Sequence, residues 1–210
     1  MALYKTITVN EHTNVFIWKI EESLEWLSKD IKLTENCQNR VDKMKSEIHQ
    51  RGFMSIRHLL AEAGYTDFDL YYDEQGKPHL KDGKYISITH SFEFSGIIVS
   101  KKPIGIDIEK QRHKILKIAP KFTPLEEYHT LANEEAIIRK LTIVWGAKEG
   151  IYKLMGISGL LFLHHMYVED FSFGDEELSA RLNYKGEQTN FNLKYLEFEG
   201  FTCVYTLLAE

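Results

Sequence analysis

The chain has 210 residues, enough for one large domain or two compact lobes, and its 43% hydrophobic and 12% aromatic content is ordinary for a protein that buries a core. Its formal net charge of −5 argues against a general nucleic-acid binder, because neutralising a phosphate backbone takes a surplus of lysine and arginine. The first ten residues have no apolar signal core and no apolar run approaches membrane-spanning length, so the reading is a cytoplasmic protein without a membrane partner.

Taken in chain order, residues 4–9 and 15–20 read as strands from their β-branched and aromatic content. Residues 21–27 and 35–60 read as helices, the longer stretch broken near Gly52, with Gly64 as a stop. A strand over 68–72 precedes a turn from Asp73 to Pro78, and short strands are expected over 85–89 and 96–100. Lys101-Lys102-Pro103 is a turn, 104–109 a strand, and 133–155 a long helix. The tail, 166–208, reads as strands with turns at Gly174, Lys185-Gly186 and Glu199-Gly200. The pattern is α+β, with a lobe boundary near residue 100: an N-terminal lobe over 1–100 and a C-terminal lobe over 101–210. Cys37 and Cys203 lack metal-site spacing and read as free thiols, a single disulfide being the alternative.

Two segments carry chemistry. In Ile104-Gly105-Ile106-Asp107-Ile108-Glu109 the alternation of a strand puts three isoleucines on one face and two carboxylates on the other. Adjacent carboxylates repel and call for protons or a cation, and hard oxygen ligands in small number suit Mg²⁺. A solvated edge strand explains the same pattern equally well from these six residues alone. In the helix, Asn133 is a good N-cap with Glu134 and Glu135 in the first turn. At ~100° per residue, Ile137, Ile138, Leu141, Val144, Trp145, Ile151, Tyr152 and Met155 share one arc, with Lys148 in its middle. A lysine there must snorkel or find an anion. Glu149 and Lys153 lie along the arc's margin, where a plain i,i+4 ion pair is the simplest account. Gly146 and Gly150 beside them mark a surface that a ligand or another backbone approaches closely.

Together these segments resemble the 4'-phosphopantetheinyl transferase superfamily. Gly105-Ile106-Asp107-Ile108-Glu109 is similar to its first signature and Trp145-Gly146-Ala147-Lys148-Glu149-Gly150-Ile151-Tyr152-Lys153 to its Trp-x-x-Lys-Glu-x-x-x-Lys helix, about 40 residues apart. Upstream, Gly76-Lys77-Pro78, Ile88-Thr89-His90-Ser91 and Arg51 resemble further family elements, as does Phe122-Thr123-Pro124-Leu125-Glu126-Glu127-Tyr128 between the signatures. The departures are Thr89 for a serine, and Gly146 and Gly150 for small residues, mostly polar. About a hundred residues precede the acidic motif, which points to the longer, two-lobed type that activates peptide and polyketide synthases.

That resemblance implies two similar α/β lobes with pseudo-twofold symmetry and coenzyme A bound between them. It implies transfer of the 4'-phosphopantetheine arm to a serine of an apo-acyl or peptidyl carrier protein, by a monomer. It assigns Mg²⁺ to Asp107, Glu109 and Glu149, catalysis to Glu149 and Lys153, and coenzyme A contacts to Arg51, Lys77, Pro78, Thr89, His90, Lys148 and Lys153. The base is Glu149, a metal-bound water or Glu127. Two other functions remain in play. One is a different Mg²⁺-dependent phosphoryl-transfer enzyme such as a nuclease, for which the acidic net charge is a poor match. The other is a non-catalytic paralogue that binds carriers.

Overall fold

Strands β1 (Leu3–Asn10) and β2 (Thr13–Lys19), rich in β-branched residues, pair antiparallel at the start of a computed structural model that describes residues 3–124 and 133–209. The chain divides into two units, Met1–Lys102 and Pro103–Glu210.

In the first unit β2 leads into helices α1 (Leu24–Ser28), α2 (Glu35–Asp42) and α3 (Glu47–Glu62). Ser23 and Thr34 cap the first two by accepting from the backbone of Trp26 and Cys37. Strands β3 (Leu70–Tyr72), β4 (Pro78–Leu80), β5 (Tyr85–Ser91) and β6 (Phe94–Ser100) then complete an antiparallel sheet of order β1-β2-β6-β5-β4-β3. One face packs on α3 through a core that includes Trp18, Leu27, Ile56, Leu59, Leu60 and Ile97.

The helical stretch breaks at residues 43–46 rather than at Gly52. Gln50 Nε2 reaches back to the carbonyls of Val41 and Met44, so the end of α2 is satisfied from α3. Gly52 stays inside α3 because the His90 ring lies against it: a Cβ there would sit 2.2 Å from His90 Nε2. Pro78, expected in a turn, opens strand β4, a position that needs no ladder donor. The turn before it is organised by Asp73, whose carboxylate accepts from the backbone of Gln75 and Lys77 and is bonded to His79 Nε2.

Beneath α3, Arg57 and Asp67 form an ion pair at 2.8 Å with side chains 2% and 0% exposed. Arg57 also donates to the carbonyl of Phe53 and to Cys37 Sγ, and Asp67 accepts from the backbone and hydroxyl of Thr34. Burial alone would raise the Asp67 carboxyl, but the Thr34 bonds and the Arg57 charge outweigh it and hold the group below its ordinary range. Cys37 and Cys203 are both buried free thiols.

The second unit comprises β7 (Ile104–Lys110), α4 (Lys114–Ile118), α5 (Glu134–Met155), α6 (Phe162–His165), β8 (Met166–Val168), β9 (Leu178–Tyr184), β10 (Glu187–Phe198) and β11 (Phe201–Leu208). Its sheet has the order β7-β11-β10-β9-β8, again antiparallel. Asn133 caps α5 by accepting from the Ala136 backbone, and Gly156 ends it at a φ of 62°, a left-handed conformation that glycine adopts freely.

The connectivity of the two units is the same. In each, one strand (β2 or β7) runs into helices, and four further strands then return in order until the last (β6 or β11) pairs with the first. The α+β reading with two similar lobes therefore describes the fold, although the sequences of the units show no close repeat. Among the described residues no helix is long and apolar enough to cross a membrane.

Replacing Arg57 by methionine strands the Asp67 carboxylate and is expected to cost about 3–5 kcal/mol, read as a fall in the urea midpoint. The double change Arg57→Met with Asp67→Leu should recover most of that loss.

Candidate active site

The site begins with a close approach of backbone to backbone. On β7, Gly105 and Asp107 pair with Thr206 and Val204 of β11, and all four face α5. A Cβ on Gly105 would lie 1.9 Å from the carbonyl oxygen of Gly150, and one on Gly150 would lie 2.5 Å from Thr206 Oγ1. One on Gly146 would lie 2.9 Å from Val204 Cγ2. Gly150 thus takes the close approach of the β7 backbone at Gly105 together with the Thr206 side chain, and Gly146 that of the Val204 side chain.

This seating presses α5 onto the acidic face of β7. Ile104, Ile106 and Ile108 are buried on the opposite face, at 3%, 0% and 1% exposure. Although β7 is an edge strand, Asp107 is only 5% exposed, so its carboxylate is not a solvated edge charge. Glu149 and Lys153 are placed by the same helix, one and two turns beyond Trp145.

Lys153 Nζ donates to Asp107 Oδ1 at 2.7 Å and to the carbonyl of Ile106 at 2.9 Å. Glu149 is pushed up to about 7, first by burial and then by the negative charges of Asp107 and Glu109, against the opposing pull of Lys153. Asp107, Glu109, Glu149 and Lys153 thus share one electrostatic neighbourhood. Among the described residues no three His, Cys, Asp or Glu side chains are drawn together as a finished metal cage. The donor chemistry nevertheless fits a hard divalent cation, which takes few carboxylates and completes its shell with water and phosphate oxygens. A carboxyl held near 7 by burial and then by its acidic neighbours would ionise when such a cation arrives.

Lys148 does not join this group. It is buried in the core arc as expected, and Nζ donates to the carbonyls of Phe122, Phe162 and Met166 at 2.5, 2.9 and 2.7 Å. With its ammonium bonded to these carbonyls and 2% exposure, Lys148 is turned into the core. Its role is to pin the segments around Phe122 and α6 to α5. Tyr152, assigned to the core arc, is 37% exposed and lies against Phe162.

In the first unit, Arg51 Nη2 donates to the carbonyl of Ile20 at 3.0 Å, while its Nε is buried with no hydrogen-bond partner among the described residues. His90 projects from β5 against the neighbouring Gly52, its Nε2 likewise buried and unbonded, and burial lowers its basicity. Arg51 and His90 are thus brought to adjoining positions of α3. Thr89 is buried on β5 at 5% exposure. Lys77 and Pro78 are on the β3–β4 hairpin, whose β4 pairs with β5 at Tyr85, the end of that strand away from Thr89 and His90; burial lowers the Lys77 ammonium below its ordinary range. Glu127 lies outside the described residues. Sequence reasoning did not single out Val204 and Thr206, the floor on which α5 rests, since no motif marks them.

The second unit coincides with a recognised family. A family model for the 4'-phosphopantetheinyl transferase superfamily matches residues 103–206, and the chain belongs to that superfamily. Among curated proteins it is 31% identical over 136 residues to enterobactin synthase component D of Salmonella typhimurium, covering 63% of this chain and 56% of the relative. It is 30% identical over 129 residues to a 4'-phosphopantetheinyl transferase of Bacillus subtilis, covering 58% of each chain. With the 4'-phosphopantetheinyl transferase gsp of Aneurinibacillus migulanus it shares 29% identity over 136 residues, 62% of this chain and 54% of the relative. The chain thus aligns with little more than half the length of these relatives.

Two measurements check the site. Gly105→Ala should lift α5 off the sheet and lower the denaturation midpoint by the equivalent of about 2 kcal/mol or more, a severe packing clash. Because the folded-state carboxyl of Glu149 is raised, its contribution to stability is full below about 4.5 and lost as pH rises through about 7. Without divalent cations, Glu149→Gln should therefore gain on the parent protein between pH 4 and pH 8.5, by at most about 3 kcal/mol. Chemical denaturation across that range reads the difference.

Proposed function

We propose that this protein transfers the 4'-phosphopantetheine arm of coenzyme A to a serine of an apo-carrier protein and releases 3',5'-ADP. The observation that carries the reading is the ion pair of Lys153 with Asp107 beside Glu149, whose carboxyl is raised by burial and by Asp107 and Glu109, in a chain whose second unit matches the transferase superfamily. Asp107, Glu109 and Glu149 would hold Mg²⁺. When bound, that ion supplies charge neutralisation at the diphosphate under attack.

The chain's own groups account for the remaining needs. The nucleophile is the carrier's serine oxygen, so none is required here. As that oxygen bonds to the phosphorus bearing the pantetheine arm, the bond from phosphorus to the ADP oxygen breaks. Lys153, 27% exposed, can turn its ammonium toward the phosphates and stabilise the charge that develops on the departing diphosphate oxygen. The serine proton must go to a base, and Glu149 and Glu127 are the chain's own carboxyls proposed for that work. The same reading gives phosphate and adenine contacts to Arg51, Lys77, Pro78, Thr89 and His90. Arg51 and His90 support it with buried nitrogens that lack hydrogen-bond partners among the described residues. Thiols left free in the fold accord with a cytoplasmic setting.

Mass spectrometry of apo-carrier proteins incubated with coenzyme A and Mg²⁺ tests this directly. A carrier serine should gain ~340 Da, the mass of the covalently attached arm. Asp107→Ala and Glu149→Ala should each slow the gain by about 100-fold or more. Coenzyme A binding with no mass gain on any carrier would instead identify a non-catalytic carrier-binding protein. Mg²⁺-dependent cleavage of DNA or RNA would identify a nuclease.

A further inference from the structure

The helix α5 carries two lysines five residues apart whose situations differ in kind. Lys148 is sealed in the core at 2% exposure, with its ammonium among three carbonyls that move only if the fold moves. Lys153 has a side chain 27% exposed, against 7% for Asp107, and rests one proton on that carboxylate and another on the Ile106 carbonyl. It has a path to solvent that Lys148 lacks. Its ammonium also lies within the field of Glu149, which Asp107 and Glu109 repel.

From this geometry we infer that Lys153 is the resident counter-ion of Asp107: it stands in for the divalent cation while the acids are bare, and leaves for the ligand's phosphates when the cation binds. The inference rests on reading Asp107, Glu109 and Glu149 as cation ligands. An ammonium in contact with Asp107 and a dication on the same carboxylate repel one another at short range, so one must yield. The lysine can yield because its tether is long, flexible and partly exposed. Lys153 therefore lowers the affinity of the empty site for a cation and couples cation binding to the presence of phosphate. In the empty protein it also keeps a buried carboxylate neutralised, which is why the acids can be stored against α5 without a metal.

The test uses Mn²⁺ as the probe, titrated into the full chain without coenzyme A and followed by electron paramagnetic resonance. Lys153→Met and Lys153→Gln, both neutral, should bind Mn²⁺ at least about tenfold more tightly than the parent, because a competing charge has gone. Lys153→Arg keeps the charge and should stay close to the parent. With coenzyme A present the order should reverse, the parent gaining more affinity than the neutral variants. The neutral variants should also be less heat-stable than the parent without Mn²⁺ and gain more from its addition. Mn²⁺ affinity in both neutral variants equal to or weaker than the parent's would overturn the inference. So would failure of both to fold even with saturating Mn²⁺, since the amine would then be a structural pin like Lys148. Transfer to carriers with unchanged Mn²⁺ affinity in the variants would sink this inference alone. A confirmed Mn²⁺ effect in a protein that transfers nothing would uphold it while removing the transferase reading.

Discussion

The candidate site depends on one contact: the backbone of α5 at Gly150 lying against the backbone of β7 at Gly105. No side chain fits between them, so the helix sits closer to the sheet than ordinary packing permits. That closeness shields Asp107 and brings Glu149 and Lys153 to it from the helix side. It also buries Glu149, which raises its carboxyl, and adds the repulsion of Asp107 and Glu109, because charges held in a dry, narrow space are poorly screened. Packing, burial and electrostatics here are three aspects of the same absent methyl groups.

Much of this was legible in the sequence, and for identifiable reasons. The alternation of Ile104, Ile106 and Ile108 with Gly105, Asp107 and Glu109 marks a strand with one apolar and one functional face, and the structure has that division. Asn133 at one end and Gly156 at the other bracket α5, whose boundaries follow from capping chemistry that acts locally. Less legible were features set by distant partners. Gly52 reads as a helix breaker until the His90 ring, from a distant strand of the chain, is seen against it. Pro78 reads as a turn residue until its place as the first residue of β4 excuses its missing donor. The shared connectivity of the two units is invisible to residue-by-residue comparison, because a topology constrains the order of strands and not the identity of side chains.

Lys148 and Lys153 show the same limit within a single motif. Spacing puts Lys148 on the core arc and Lys153 on its margin, and a resemblance assigns both to phosphate. The structure separates them by what surrounds each ammonium: three carbonyls from other segments for one, a carboxylate and an open side for the other. A helical projection places a lysine on a face but contains no information about carbonyls from elsewhere in the chain. The burial of Lys148 implies a demand for partners, and carbonyls from distant segments are among those that meet it.

The pairing of β7 with β11 has a mechanical corollary. Ile104 opposes Leu207 at one end of the ladder, and Lys110 opposes Phe201 at the other. The unit's incoming and outgoing strands are therefore adjacent at the same corner. Tension drawn between them would open the ladder like a zip, one rung at a time, instead of shearing all the rungs together. The rungs yield in the order Ile104, Gly105, Ile106, Asp107, so the anchor of the acidic site is reached by the fourth. The long helix and the inner strands β9 and β10 would still be joined when that happened, making the chemistry of this unit its first casualty under load and its core the last.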